Sequence, residues 1–167
     1  NLLYLVGLTR NEMGGSHFAL VEGLFGGDVP RVDAPLARRT FEALHRAIRD
    51  GLVRACHDLS EGGLAAAAAE MAFAGSLGAE IDLDKVPRAE DAAHAPVLLF
   101  SESNTRFLCE VRPACAAAFE SALAGIPHAH VGRVTRDATL KIAWDGAAVV
   151  QEDVSRLKEA WLGPLAW

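Results

Sequence analysis

Cys56-His57-Asp58-Leu59-Ser60-Glu61-Gly62-Gly63-Leu64 joins an apolar run to an alanine-rich one, and the fold turns on how that junction is read. Leu52 to Cys56 has the length and content of a short buried strand, and Leu64 to Ala74 favours helix through its alanines. A strand that turns straight into a helix puts the turn at the helix N-terminus. Unpaired N–H groups and the positive end of the helix dipole gather there and stabilise an anion such as a phosphate. Gly62 and Gly63 lack Cβ atoms, so a ligand oxygen can approach their backbone closely. Asp58 and Glu61 would repel a bare phosphate, but they are hard oxygen donors of the kind magnesium takes, and a magnesium nucleotide satisfies both demands. Ser60 is placed to act as the helix N-cap. Spacing alone leaves two readings open, a ligand site or plain capping and turn chemistry, and favours the second.

Working outward, Leu2 to Leu8 reads as a strand, and Phe18, Val21 and Leu24 or Phe25 recur at helical spacing before Gly26-Gly27. Asp33-Ala34-Pro35 opens a helix with Ala37, Phe41, Leu44 and Ile48 on its apolar face and Arg38, Arg39, Glu42, Arg46 and Arg49 on its wet one, closed by Gly51. Beyond the alanine-rich helix, Ala79 to Leu83, Val97 to Phe100, Thr105 to Val111 and His130 to Val134 read as strands, and Ala114 to Leu123 as a helix. Leu140 to Trp144 and Ala147 to Val150 flank Asp145-Gly146, a strong hairpin signal, and a last amphipathic helix runs from Val154 to Leu162. Strands and helices mix without strict alternation, which predicts an α+β fold with a mixed β-sheet packed with helices. There is no internal repeat and no low-complexity linker.

At 167 residues the chain suits one domain, or one large piece of a bigger enzyme. It begins on a strand-like run without an initiator Met, as a fragment cut at a domain boundary would. Its net charge of -6 and its lack of basic runs argue against nucleic acid as a partner. No apolar run reaches the ~20 residues that span a bilayer, and the start lacks a signal peptide's basic region, so a cytoplasmic location away from membranes is expected. Cys56, Cys109 and Cys115 have neither zinc nor redox-motif spacing and are expected to be free thiols, mostly buried.

A second pair, Gly14-Gly15, precedes Ser16 and another helix, so two helix N-termini with exposed N–H groups are available to anions if both face one cleft. Ser101 to Arg106 interrupts apolar segments with six polar residues; it reads as a hydrophilic loop, or as one whose Glu102 is a metal or substrate ligand. His57 reads first as a hydrogen-bonded structural histidine and second as a base or ligand. His128 and His130 alternate as metal ligands do, but no acidic or Cys companion lies near. Asp58 stands where a nucleophile elbow needs glycine, and there is neither a Walker lysine nor a dinucleotide glycine fingerprint.

His57-Asp58-Leu59-Ser60-Glu61-Gly62-Gly63-Leu64, continuing to Ala69-Glu70-Met71-Ala72-Phe73-Ala74-Gly75, resembles the signature of the phosphoribosylformylglycinamidine synthase synthetase subunits, the PurL family. Glu12-Met13-Gly14-Gly15-Ser16, Pro30-Arg31-Val32-Asp33, and Leu99-Phe100-Ser101-Glu102-Ser103 with Arg106-Phe107 agree in the same order, so the resemblance covers almost the whole chain. It implies one C-terminal domain of the AIR-synthase-related superfamily over residues 1–167, partly ferredoxin-like and part of a longer enzyme. The implied reaction is ATP-dependent: the formyl-amide oxygen of formylglycinamide ribonucleotide is phosphorylated, and ammonia from glutamine displaces phosphate to give the amidine. ATP and Mg2+ are the implied cofactors. Carried over by motif, Asp58 and Ser60 touch nucleotide phosphates or magnesium, Glu61, Gly62 and Gly63 shape the turn, and Glu102 lies in the same cleft. Together with the residue-level reading, the candidate anion site is Asp58, Ser60, Gly62, Gly63, Gly14, Gly15 and Ser16, and the candidate metal ligands are Asp58, Glu61 and Glu102, with no catalytic residue assigned.

The implied partners are the N-terminal domains of the same enzyme, a glutaminase subunit and a small bridging subunit. The resemblance also implies that the chain alone has no synthase activity, and that it serves one of two pseudo-symmetric sites, of which one holds a nucleotide without turnover. Aminoimidazole ribonucleotide synthase, selenophosphate synthetase, and the hydrogenase-maturation and thiamine-phosphate kinases are the alternatives within the superfamily, with other residues expected at Ser60 to Gly63. A purely structural module is the alternative from another class, and a sheet face left bare offers it a route to dimerisation.

Overall fold

The computed structural model describes residues 1–165. Seven strands form one mixed sheet: β1 (Leu2–Val6), β2 (Val53–Asp58), β3 (Gly78–Asp82), β4 (Phe107–Val111), β5 (His128–Thr135), β6 (Thr139–Trp144) and β7 (Ala147–Asp153). They lie in the order β2-β4-β1-β5-β3-β6-β7, and every neighbouring pair is antiparallel except β3 with β6. Six α-helices accompany them: α1 (His17–Val21), α2 (Ala34–Arg49), α3 (Gly63–Gly75), α4 (Ala95–Phe100), α5 (Ala116–Ala122) and α6 (Val154–Leu162). The α+β class expected from sequence is observed.

The run β1-α2-β2, then β4-α5-β5, gives the strand order β2-β4-β1-β5, which is the ferredoxin-like arrangement. β1 is its centre and is apolar throughout, because both of its faces are covered. Leu3 and Leu5 join Leu64, Ala67, Ala68, Leu98 and Leu108 in a core beneath α3 and α4. Tyr4 and Val6 join Ala43, Leu44, Ala47, Cys109, Val111 and Phe119 in a second core beneath α2 and α5. β6 and β7 close the far side as the hairpin that Asp145-Gly146 predicted, with both turn residues at positive φ.

Several expectations are corrected. Val97 to Phe100 is the end of helix α4, not a strand; a four-residue apolar run does not distinguish the two, and Pro96, in the first helical turn, decides for helix. β2 is a half-exposed edge strand, not a buried one, so Cys56 is exposed, with its Sγ 3.7 Å from that of buried Cys109 on β4. α1 stops at Val21, well short of Gly26. The buried face of α2 is Ala37, Thr40, Ala43, Leu44 and Ala47, while Phe41 and Ile48 are about half exposed. The alanines let this helix lie close against the sheet, and the bulky residues are turned to its flank.

Candidate functional site

β2 ends at Asp58, and Leu59 anchors the turn by burying its side chain and donating its N–H to the Arg106 carbonyl at 2.9 Å. Gly62 at φ +74° and Gly63 at φ +61° then reverse the chain into α3. A Cβ on Gly63 would stand 2.5 Å from the Ser101 carbonyl oxygen and 2.8 Å from that of Leu99, so glycine is required for α3 to start against the end of α4. Ser60 does not cap the helix: Gly62 is the N-cap, it has no side chain with which to accept a first-turn N–H, and Ser60 is exposed.

A carboxylate from another segment holds the turn just before the helix instead. Glu102, just past α4, accepts the N–H of Gly62 at 2.9 Å through Oε1, and the same oxygen accepts the N–H of His17 at 2.9 Å. Gly14-Gly15-Ser16 leads into α1, where Ser16 caps the helix by accepting the Ala19 N–H at 3.1 Å. The two glycine turns therefore converge, and the point where they meet is a carboxylate of the chain itself. Stacked Phe18 and Phe100, 4.8 Å apart, hold α1 on α4.

The loop that carries Glu102 is fixed from below by Arg106, which is fully buried. Its guanidinium donates to the Ser103 carbonyl at 3.0 Å, to Thr9 Oγ1 at 3.0 Å and to the Ser101 carbonyl. Ser101 Oγ donates to the Arg10 carbonyl at 2.8 Å, and Ser103 Oγ accepts the Arg10 N–H at 3.1 Å, which ties this loop to the segment after β1. Burial pushes the Arg106 pKa down to about 10, against the opposing charges of Glu12 and Glu102, so it stays a cation at neutral pH.

Of the expected metal ligands, Glu61 and Glu102 flank His17, with Nε2 3.9 Å from Glu61 Oε2 and Nδ1 3.5 Å from Glu102 Oε1. Asp58 is turned instead to His57, whose Nδ1 lies 3.7 Å from its Oδ1. Among the described residues no group of three or more His, Cys, Asp or Glu side chains is arranged to hold a metal ion. The donor chemistry fits magnesium held by one or two carboxylates and a nucleotide's own phosphates, not a cage made by this chain. His57 is a hydrogen-bonded histidine, with Nε2 2.8 Å from Glu70 Oε2 on α3 and Nδ1 2.7 Å from the Asp58 carbonyl. His128 and His130 likewise lie against backbone carbonyls. With Met71, Leu77 and Val134, the His57–Glu70 pair lines a mostly apolar cavity of about 440 Å³ that includes no residue of the Glu102 loop.

Sequence reasoning missed His17 and the anchoring part of Arg106. The position of His17 directly after the capping Ser16 was a usable signal; the long-range bonds of Arg106 were not.

Fold and site together define the class: an α+β domain with a ferredoxin-like half that gathers two glycine-led helix starts on one carboxylate, Glu102. The chain belongs to the family described as AIR synthase related protein, C-terminal domain, which it matches over residues 1–145. It is 34% identical over 168 residues to the phosphoribosylformylglycinamidine synthase subunit PurL of Alkaliphilus metalliredigens, covering 99% of this chain and 22% of that one. It is 40% identical over 175 residues to the same subunit of Synechococcus elongatus, covering 98% and 22%. The chain thus spans about a fifth of these relatives. Its fold resembles T. maritima PurL complexed with ATP (TM-score 0.76, 24% identity, covering 93% of this chain and 25% of that one) and the same protein complexed with FGAR (0.79, 24%, 93% and 27%). The hydrogenase maturation protein HypE shares the fold at a TM-score of 0.62 and 17% identity, covering 91% and 52%.

Proposed function

We propose that this chain is the C-terminal AIR-synthase-type domain of a PurL-type phosphoribosylformylglycinamidine synthase, and that its glycine turns form one wall of a magnesium–ATP site. The convergence of Gly62-Gly63 and Gly14-Gly15-Ser16 on Glu102 carries this reading, because it concentrates two helix starts and a carboxylate at one place. Relatives along the whole chain bear the PurL name, and solved PurL structures of this fold hold ATP, ADP or FGAR. The activity is the ATP-dependent conversion of formylglycinamide ribonucleotide and ammonia to the amidine, in the cytoplasm. Other domains of the longer enzyme complete the site, a glutaminase subunit and a small bridging subunit supply ammonia, and the isolated chain is inactive. In this reading Asp58, Ser60 and Glu61 face the nucleotide phosphates and their metal. Positioning and charge stabilisation are what such a wall contributes.

One observation favours a second reading. Glu102 already takes the N–H of Gly62 that a phosphate would use, as a self-contained structural turn does. The two are separated by Asp58→Asn in the full-length enzyme, with turnover, retained nucleotide and thermal stability measured separately. Turnover lost at unchanged stability supports an active-site wall, and nucleotide and stability lost together support a nucleotide held without turnover. No change in any of the three removes Asp58 from the site and leaves the structural reading.

A further inference from the structure

The register of β2 on β4 sets Cys56 directly opposite Cys109. Leu59 donates its N–H to the Arg106 carbonyl, which makes those two a hydrogen-bonded pair. Pair types alternate along an antiparallel ladder, so Cys56 and Cys109, three positions further along it, form a non-hydrogen-bonded pair. Such pairs bring their Cα atoms to about 4.5 Å, the closer of the two approaches that facing strands make. A disulfide spans Cα separations of roughly 4.4–6.8 Å, so the backbone already has the spacing that one needs. The side chains are aimed as well, with the two Sγ atoms of these free thiols 3.7 Å apart.

Exposure divides the roles of the two sulfurs. Cys109 is fully buried in the core beneath α2 and α5, while Cys56 is exposed on the strand at the edge of the sheet. An oxidant in solution therefore meets Cys56 first, and Cys109 is the thiol in place to respond. Cys115 stands outside this ladder, at the start of α5. The strand concerned matters to the rest of the fold, because β2 has a neighbour on one side and runs through His57 and Asp58 into the Gly62-Gly63 turn.

We propose that Cys56 and Cys109 are a site of reversible oxidation, forming a disulfide that fastens the edge strand β2 to β4 when the protein meets a peroxide. In the first step the Cys56 sulfur attacks one oxygen of hydrogen peroxide and the O–O bond breaks. The departing hydroxide leaves as water with the thiol proton, and Cys56 becomes a sulfenic acid. In the second step the Cys109 sulfur attacks the sulfenic sulfur, the S–S bond forms and the S–O bond breaks. A second water carries off the Cys109 proton. Two thiols thus lose two electrons, and one peroxide is reduced to two waters. Thiol exchange with a small dithiol reverses the bond, in keeping with the transient disulfides of reducing compartments. The cross-link needs no nucleotide and is independent of the ATP-site reading.

The test exposes the chain to hydrogen peroxide, blocks the remaining thiols with N-ethylmaleimide in denaturant and reads the intact mass. The expected product is a monomer that has lost two hydrogen atoms and takes up one maleimide in place of three, with all three restored by dithiothreitol. Cys115→Ser is expected to keep the loss of two hydrogens, and Cys56→Ser, a change at an exposed position, to abolish it. Hydrogen exchange of the β2 amides is expected to slow severalfold on oxidation and to recover on reduction. Three reactive thiols after peroxide overturn the proposal. So do a product that gains oxygen with Cys109 still free, a bond to Cys115, and a disulfide-linked dimer. A Cys56–Cys109 bond that leaves β2 exchange unchanged overturns the fastening of the strand.

Discussion

The His57 imidazole ties the edge strand β2 to α3 through Glu70. Burial pulls its pKa down, but the bonds to the Asp58 carbonyl and the Glu70 carboxylate, with the nearby negative charges, outweigh burial and the net shift is upward. A folded pKa raised above the unfolded value means that the charged pair stabilises the fold fully below the ordinary histidine pKa of 6.5, and that this contribution is lost as pH rises through the higher folded value. The expected outcome for Glu70→Gln is a His57 pKa lower than in the wild type by NMR titration, with a stability deficit that is largest at acid pH and fades toward alkaline pH. A deficit independent of pH would show that packing, not the ion pair, is what Glu70 supplies. At this scale the motif was legible from sequence and its pairing was not. His57 reads as a structural histidine, but Glu70 lies 13 positions away and meets it only once α3 folds back over the sheet.

Among elements, α3 is the one that positions the site, and Gly63 is its tightest constraint. A Cβ there meets the carbonyls of Ser101 and Leu99, backbone that cannot yield without moving α4 and Glu102. At Gly15, also at positive φ, a Cβ meets nothing within 4 Å. Gly15→Ala is therefore expected to cost only the left-handed backbone term, about 1–2 kcal/mol. Gly63→Ala adds an overpacking cost of about 1–3 kcal/mol to the same backbone term. Denaturant unfolding of both variants measures the gap, and equal losses would mean that the end of α4 yields freely. α3 and the hairpin β6–β7 could be placed from local pattern, since alanine content and Asp145-Gly146 act over a few residues. α4 could not, because a short apolar run carries no period, and beyond the local mark of Pro96 it is packing into the core beneath α3 that shows which structure it takes.

Across the whole molecule, apolar surface is unevenly covered. Leu20, Val21, Leu24, Phe25, Val29 and Val32 are all more than half exposed in the stretch from α1 to α2, and Phe25 is 99% exposed. Such a patch costs solubility unless another surface covers it, which accords with the proposal of a domain that docks inside a longer enzyme. Replacing Leu20, Val21, Leu24 and Phe25 with serine is expected to leave Tm nearly unchanged, since these side chains support no core. The same variant is expected to lose the concentration-dependent association of the wild type in sedimentation velocity. If the wild type sediments as a monomer at all concentrations, the patch does not drive association.

No helix among the described residues is long and apolar enough to cross a membrane. The strand and helix periods, the glycine turns and the order of the motifs are properties of neighbouring residues, so the α+β class, most elements and the family resemblance are written in the chain directly. The sheet order, the exposed edge at β2, the closing of both glycine turns on Glu102 and the meeting of Cys56 with Cys109 join residues 40 to 100 positions apart. Tertiary packing alone decides these, because distances across a folded core bear no fixed relation to separation along the chain.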